Sequence, residues 1–537
     1  MTLIGWLIFF LVVQVVHFLC TWKMYVAAGR KAWEASVPVY NAVILMKIIN
    51  RPWWWVILLF VPIVNLIMLP VVWVETLRSF GYNSSKDTLL GVLTFGLYIG
   101  YVNYTQELKY IEDRDLKPRT SAGEWTSSIL FAVVAATIVH TYFMQPFTIP
   151  TSSLEKTLLV GDYLFVSKMH YGARAPMTSA ALPMLHDRVP FTKAKSYYSG
   201  LEYPYFRLPG FQKIKHNDIV VFSWPIDEFE DIGPPPSGYM YKPIDKKSNY
   251  VKRCVALPGD SLEVKNGYVY INGKQNELPD RAKLQFAYEI VSNTALVEVD
   301  RNGRYTNIPI PYVVDKYEIS DIYITDIDRE KRLLTHTAHI TPETAEKLKS
   351  DFNSVTLIGS VEGQWDEGTF PQNAQYPWNN GFFGPIYIPK AGVTVPINSE
   401  SIPFYKRIIE VYEGSELGIT NTITQSGTNV LLNGQPLNEY TFKMDYYWMM
   451  GDNRSNSQDA RSWGYVPFNH VVGKPVFVWM SLDKNKSGFS KIRWDRMFTT
   501  VGGDGEPVSY LKFFLIALGG WFLFSFFRKK KRQKAKS

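Results

Sequence analysis

Residues 125–147 contain no Asp, Glu, Lys or Arg. A run this long and apolar is expected to cross a membrane as a helix, because backbone polar groups in lipid must bond within their own segment. The chain then reads FTIPTSSLEKTLL over residues 147–159. The fixed φ of Pro150 gives Thr151, Ser152 and Ser153 a defined extended or turn start. LLVGDYLFVSK follows and reads as a turn and a strand. A hydroxyl cluster at a bilayer exit has two readings. One is a polar linker, which is the simpler choice for the stretch alone. The other is a nucleophile, Ser153, held at a membrane surface, and the rest of the chain favours it.

Further apolar runs surround this one. Residues 1–22 are uncharged, with neither a basic leader nor a small-residue cleavage site, so they predict a retained helix. Residues 52–74 predict a second span, with Trp53, Trp54 and Trp55 as an interfacial belt and kinks at Pro62 and Pro70. Residues 88–105 form a shorter third candidate, and 127–144 a fourth. Residues 508–527 form a last span before the basic tail RKKKRQKAKS. Lys23, Arg30, Lys31, Lys47 and Arg51 share one loop, and Lys109 to Arg119 another. Placing both loops and the tail in the cytoplasm puts the N-terminus and Ser153 outside, with Lys512 snorkelling to the outer interface.

The net charge of +8 owes much to that tail. Basic residues concentrated after an apolar run read as an anchor flank, not as the basic folded face that nucleic acid needs. Gln14, His17 and Asn65 fit helix–helix contacts better than a transport path. The module 1–122 therefore offers no chemistry of its own and suits partner binding, or holding the chain near the secretion translocon.

Residues 148–507 read as a mainly β domain, preceded by the helix within 123–147 and followed by the span and tail of 508–537. Strands are expected at 163–167, 218–223, 250–257, 261–264, 268–271, 355–358, 407–412 and 476–479, separated by Gly, Asn, Asp and Pro. YVYINGKQNE and NVLLNGQPLNEY both predict a hairpin turning at Asn-Gly, an internal echo. Two stretches read as insertions. Residues 172–216 are rich in Pro, Tyr and Phe, and the part near 197–211 suits a membrane surface. Residues 276–427 are mixed and suit a cap or rim over a substrate groove, with a helix near 341–352 started by Thr341-Pro-Glu.

Two further stretches carry chemistry. In YVKRCVALPGD, residues 250–260, strand alternation puts Lys252 on one face with Tyr250 and Cys254. An exposed strand lysine is the ordinary outcome. A buried one loses its charge and becomes a general base. In MGDNRSNSQDARSWGYVP, residues 450–467, Asp452, Asn453, Arg454, Ser457, Asp459 and Arg461 lie between apolar flanks. That density predicts a buried polar network in which Asp459 pairs with Arg461. Cys20 and Cys254 are the only cysteines, and they sit in unlike surroundings. They predict neither a disulfide nor a metal cluster.

Together the three stretches resemble the type I signal peptidases, membrane-bound Ser/Lys endoproteases. PTSSLEKTL corresponds to the family's P-S-x-S-M-x-P-T-L. Tyr250, Lys252, Arg253, Pro258, Gly259 and Asp260 match Y-x-K-R-x-x-x-x-P-G-D. Gly451 to Arg461 match G-D-N-R-x-x-S-x-D-S-R except at Ala460. The resemblance implies a multi-pass membrane protein with a mainly β extracytoplasmic catalytic domain of signal-peptidase-like fold, carrying large insertions. It implies Ser153 as nucleophile and Lys252 as general base. Thr151 and the Ser153 amide would form the oxyanion hole, and Ser457 would orient the lysine. Asp459 and Arg461 are a supporting pair beside Gly451. Ile149, Pro150 and Val251 are candidate pocket walls.

The implied substrates are signal-peptide-bearing preproteins cut after Ala-x-Ala-like small residues at the bacterial cytoplasmic membrane, with no cofactor or metal. Leu154 and Lys156 depart from the motif's Met and Pro. Lys156 is expected to meet lipid head groups, or to help keep Lys252 neutral by reaching it. Two other readings compete. A Ser-His-Asp protease needs a placed histidine, and the eight here lie in spans or in loop-like contexts. A catalytically degenerate β scaffold is compatible with the two departures but not suggested by the retained Ser and Lys.

Overall fold

A computed structural model describes residues 3–118, 120–231 and 237–534. Arg119 and the last residues of the basic tail, 535–537, lie outside the described residues. The chain divides into two compact units. One comprises Met1–Phe143, Arg174–Leu208 and Tyr241–Lys246; the other comprises Met144–Ala173, Pro209–Met240 and Lys247–Ser537.

The first unit is helical. Leu3–Ala27 is one apolar helix with most of its side chains exposed. Asn41 ties to it by donating to Gln14 Oε1 at 2.8 Å, and Tyr25 donates to the Asn41 carbonyl at 2.7 Å. His17 contacts Tyr25 of its own helix. The expected second span is broken into Trp55–Phe60 and Asn65–Ser79. Pro62 forces the residue before it out of helical geometry, and Val61 is extended at ψ 117°. Pro70 is accommodated within the second piece.

The expected third span is likewise two helices, Ser85–Leu93 and Leu97–Thr105, hinged at Gly96 with φ 82°. Among the described residues, three helices are long and apolar enough to cross a membrane: Leu3–Ala27, Ser121–Phe143 and Leu511–Lys530. Part of the aromatic stretch 172–216 belongs to this unit as a hairpin of Thr178–Ala181 with Tyr197–Glu202. Ile63 packs on Ala181 and Tyr197, and Trp6 donates to the Glu202 carbonyl at 2.9 Å.

The second unit is mainly β. Its principal sheet has eight strands. In spatial order they are Met144–Thr148, Asp162–Ser167, Val471–Ser481, Ile219–Ser223, Asn249–Ala256, Tyr446–Met450 and Val466–Pro467, with Thr499–Thr500 on the third. The described pairings are antiparallel. Ile219–Ser223 is buried at every position, as expected of an interior strand rich in β-branched and aromatic residues. One face of the sheet packs Val220, Phe222, Trp224 and Cys254. A second cluster holds Ile149, Leu154, Ile219 and Val221, with Val251 against it.

Both Asn-Gly sequences turn hairpins. Asn272 and Asn433 have φ 52° and Gly273 and Gly434 φ 80°, which two-residue primed turns require. Each asparagine side chain then accepts from the preceding strand, from Ser261 N at 2.8 Å and from Thr422 N at 2.9 Å. The echo is therefore structural as well as sequential.

The stretch 276–427, expected as one insertion, is not one body. Residues 286–357 form a sheet in the order Ile322–Asp328, Leu333–Ile340, Phe286–Ser292 and Ser354–Leu357, with its own core around Ile290, Val313 and Leu348. The helix expected there runs Pro342–Leu348, capped by the Thr341 hydroxyl. Later residues of the stretch, including Phe370, Phe383 and Tyr405, join the large aromatic core around Trp448. One strand expectation fails: 407–412 is helical, continuing Ile402–Arg407 through Ile408–Tyr412. Its β-branched run suggested period two. However, Ile402, Tyr405, Ile408, Ile409 and Tyr412 are buried at helical spacing, and Pro403 sits in the first turn.

Candidate active site

The Ser153 loop spans the gap between the paired strands Met144–Thr148 and Asp162–Ser167. Its ends are pinched by Ile149 N to Asp162 O and Gly161 N to Ile149 O, both 2.9 Å. Ile149, Leu154 and Leu158 anchor it in the apolar cluster. Glu155 N bonds Ser152 O, and Leu158 N bonds Leu154 O. Ser153 therefore sits on a fixed turn and is only 7% exposed. Pro150 and Thr151 are exposed. Of the three candidate pocket residues, Ile149 is buried, and Val251 packs on the same cluster.

The polar loop after Tyr446–Met450 closes on this turn. Asn453 N donates to Ser153 O at 3.1 Å, and the Thr157 hydroxyl donates to Asp452 Oδ2 at 2.7 Å. Gly451 lies between the two serines. A Cβ built there would fall 2.6 Å from Ser153 O and 2.2 Å from Ser457 Oγ, so only glycine fits.

Lys252 comes from the neighbouring strand Asn249–Ala256, paired with Val220. It is 3% exposed and donates to Ser457 Oγ at 3.0 Å. Burial pushes its ammonium down from 10.5 to about 8; Asp459 opposes this and Arg461 adds to it. The expected face is observed: Tyr250 and Cys254, its strand neighbours, both belong to the apolar cluster on that side, with Nζ 6.0 Å from the Tyr250 ring centre.

Asp459 and Arg461 form the expected pair, bidentate at 2.9 and 2.8 Å. Asp459 also accepts from Gly451 N at 3.0 Å, so the pair fixes the glycine as well as the field at Lys252. Burial raises the Asp459 carboxyl, but Arg461 more than offsets this and holds it below the ordinary value. The structure thus brings Ser153, Lys252, Gly451, Ser457, Asp459 and Arg461 into one site.

Two features escaped the sequence reading. Arg253, adjacent to the lysine, makes a buried bidentate bridge to Asp452 at 2.7 and 2.6 Å. Both residues are fixed members of the quoted motifs, and their opposite charges were the available signal. The other is the role of Lys156. It meets neither Lys252 nor open solvent alone: its ammonium bonds the Glu318 carbonyl and lies 3.4 Å from the Glu318 carboxylate. The fold, not the local sequence, brings a residue so distant in the chain to it.

A family of unknown function (DUF5684) matches residues 33–113, within the helical unit. Three proteins named signal peptidase I are similar to the chain. That of Buchnera aphidicola subsp. Schizaphis graminum is 24% identical over 65% of this chain and 72% of its own. That of Haemophilus influenzae is 21% identical over 73% and 79%. That of Helicobacter pylori is 22% identical over 71% and 94%. The family described as signal peptidase, peptidase S26, matches residues 122–309 and 393–480, just over half of the chain and every motif of the site, and the chain belongs to that family.

Proposed function

We propose that the chain is a Ser/Lys endopeptidase that removes signal peptides, with Ser153 as nucleophile and Lys252 as general base. The observation that carries this reading is the buried Lys252 amine, bonded to Ser457 beside the Ser153 turn and titrating near 8. A serine hydroxyl is a weak nucleophile until a base takes its proton, and a neutral amine can do so.

Neutral Lys252 Nζ accepts the Ser153 Oγ proton as Oγ attacks the scissile carbonyl carbon. The Ser153 amide and the Thr151 hydroxyl donate to the oxyanion, each worth about 3 kcal/mol in comparable sites. The tetrahedral intermediate collapses, the C–N bond breaks, and the Lys252 ammonium protonates the departing amine. Water, deprotonated by Lys252, then attacks the Ser153 ester, and Oγ leaves with the proton. Ser457 keeps the amine aimed through both halves.

The substrate class is an exported preprotein whose signal peptide ends in small residues, laid as an extended strand with Ile149, Pro150 and Val251 near its small side chains. The span ending at Phe143 would hold Ser153 at the outer face of a bacterial cytoplasmic membrane, where such a segment presents its cleavage site. Membrane lipid, and the translocon through the helical unit, are the other proposed partners.

The test is cleavage of an Ala-x-Ala preprotein by the detergent-solubilised protein beside Ser153→Ala and Lys252→Ala. Loss of cutting in both folded variants supports the dyad. Cutting by either at the wild-type rate overturns it, and an inert wild type favours a degenerate scaffold.

A further inference from the structure

The Ser153 turn is touched from outside the three motifs by the module of residues 286–357, which from residue 310 onward lies outside the family match. Three contacts converge from its 318–321 turn. Lys156 bonds the Glu318 carbonyl, at the C-terminal end of the helix Pro311–Tyr317, where a cation is favoured. Ser320 lies beside the buried Glu155 carboxyl and offsets part of the rise that burial gives it. Asn456 Nδ2 bridges Asp321 Oδ2 at 2.9 Å and Ser152 Oγ at 3.3 Å. Asp321 is itself fixed by His339 Nδ1 at 2.8 Å. The stem of the module adds contacts on the polar loop. Gln285 N donates to Asp452 O at 3.0 Å, and Arg454 N returns a bond to Gln285 O at 2.8 Å.

The backbone at Lys156 explains why such support is needed. Its φ is +69°, a left-handed value that costs a non-glycine residue energy. Proline, which the motif carries at this position, is locked near −65° and cannot adopt it. The loop of this chain therefore has a shape the proline form cannot share. Its stability there depends on the ammonium hook and the carboxamide bridge. The ion pair itself adds little, because the Glu318 side chain is 81% exposed. The carbonyl bond and the bridge set the geometry.

We propose that the inserted module is a positioning element of the catalytic centre. Asp321, acting through Asn456 on Ser152, and Glu318, acting through Lys156, hold Ser153 in line with Lys252. Neither acidic residue touches substrate. This inference rests on the Ser153 reading above, and Ser153→Ala is run beside the variants so that the two can fail separately.

The experiment measures kcat and KM on an Ala-x-Ala preprotein with the full-length protein in detergent. Misplacing a reacting group by about an ångström can cost about 100-fold. Asp321→Ala is expected to lower kcat by about 10-fold or more, with KM changed less than about two-fold. Asp321→Asn keeps an acceptor oxygen and is expected within about three-fold of wild type. Asn456 is exposed, so Asn456→Ala should fold even where Asp321→Ala does not. It is expected to match Asp321→Ala, and the double variant to be no worse than either single, as for one chain of contacts. Lys156→Arg is expected to retain activity that Lys156→Pro loses. The pH midpoint of kcat should stay where Lys252 sets it.

Wild-type kcat in Asn456→Ala, multiplying losses in the double variant, or losses confined to KM would overturn the positioning role while leaving the dyad intact. Activity in Ser153→Ala would overturn the dyad itself.

Discussion

Replacing Lys252 with methionine tests the link between burial and chemistry. The fall in its pKa from 10.5 to about 8 leaves about a tenth of the amine neutral at pH 7 and about half at pH 8. An exposed lysine would be neutral about 300-fold less often at pH 7. In wild type, kcat/KM should therefore rise about five-fold from pH 7 to pH 8 and level off above about pH 9.

The same burial disfavours the charged lysine by about 3 kcal/mol in the folded state. The folded pKa lies below the unfolded one, so the unfolded chain holds more protons between about 8 and 10.5. Wild-type stability thus rises with pH across that window. Lys252→Met removes the cost and loses the bond to Ser457, worth about 1 kcal/mol. The variant should be inactive, yet more stable near neutrality by about 2 kcal/mol, the advantage fading as pH approaches 10.5. The assays are pH-resolved peptide cleavage and thermal or denaturant unfolding in detergent. An activity midpoint near 10.5, residual cutting by the variant, or a variant less stable at pH 7 would refute the reasoning.

Other perturbations have equally defined outcomes. Gly451→Ala drives a Cβ against Ser457 Oγ and Ser153 O and should reduce kcat by about 100-fold, read in the same cleavage assay. Arg253→Met leaves Asp452 buried without its cation and should cost about 3–5 kcal/mol of stability by denaturant unfolding. Because Asp452 is held below its ordinary pKa, with Arg253 outweighing burial, that contribution in wild type is present above the ordinary carboxylate range. It is lost as pH falls through the folded value. Glu155 is shifted the other way, raised by burial. Its ionisation opposes folding once pH exceeds 4.5, so Glu155→Gln should stabilise the protein at neutral pH and match wild type below that value. Thermal unfolding at the two pH values reads the difference.

Much of the site was legible before the fold because its signals are local. Thr151 to Ser153, Lys252 and the 450–467 loop announce themselves by residue type within short windows, and strand alternation alone aims Lys252 at Tyr250 and Cys254. Asn272-Gly273 and Asn433-Gly434 likewise dictate their turns, because so few residues tolerate two successive positive φ values. Pro62 and Gly96 were visible too. Yet hydropathy averages over them, so the two central spans read as continuous where the backbone breaks. The run 407–412 was misread because β-branched residues suit strands in general, whereas its buried residues recur at three and four.

What the sequence by itself determined is the candidate chemistry: which hydroxyl, which amine and which ion pair to propose, since each depends on residue identity and near neighbours. What only the tertiary structure decided is their state and their support. The Lys252 ammonium is pushed down to about 8 because strands far apart in sequence exclude water from it. Arg253 finds Asp452, and Lys156 finds Glu318, because the fold closes loops of some 160 to 200 residues between them. No local pattern encodes such a meeting: it follows from burial, summed over the whole second unit, choosing one packing.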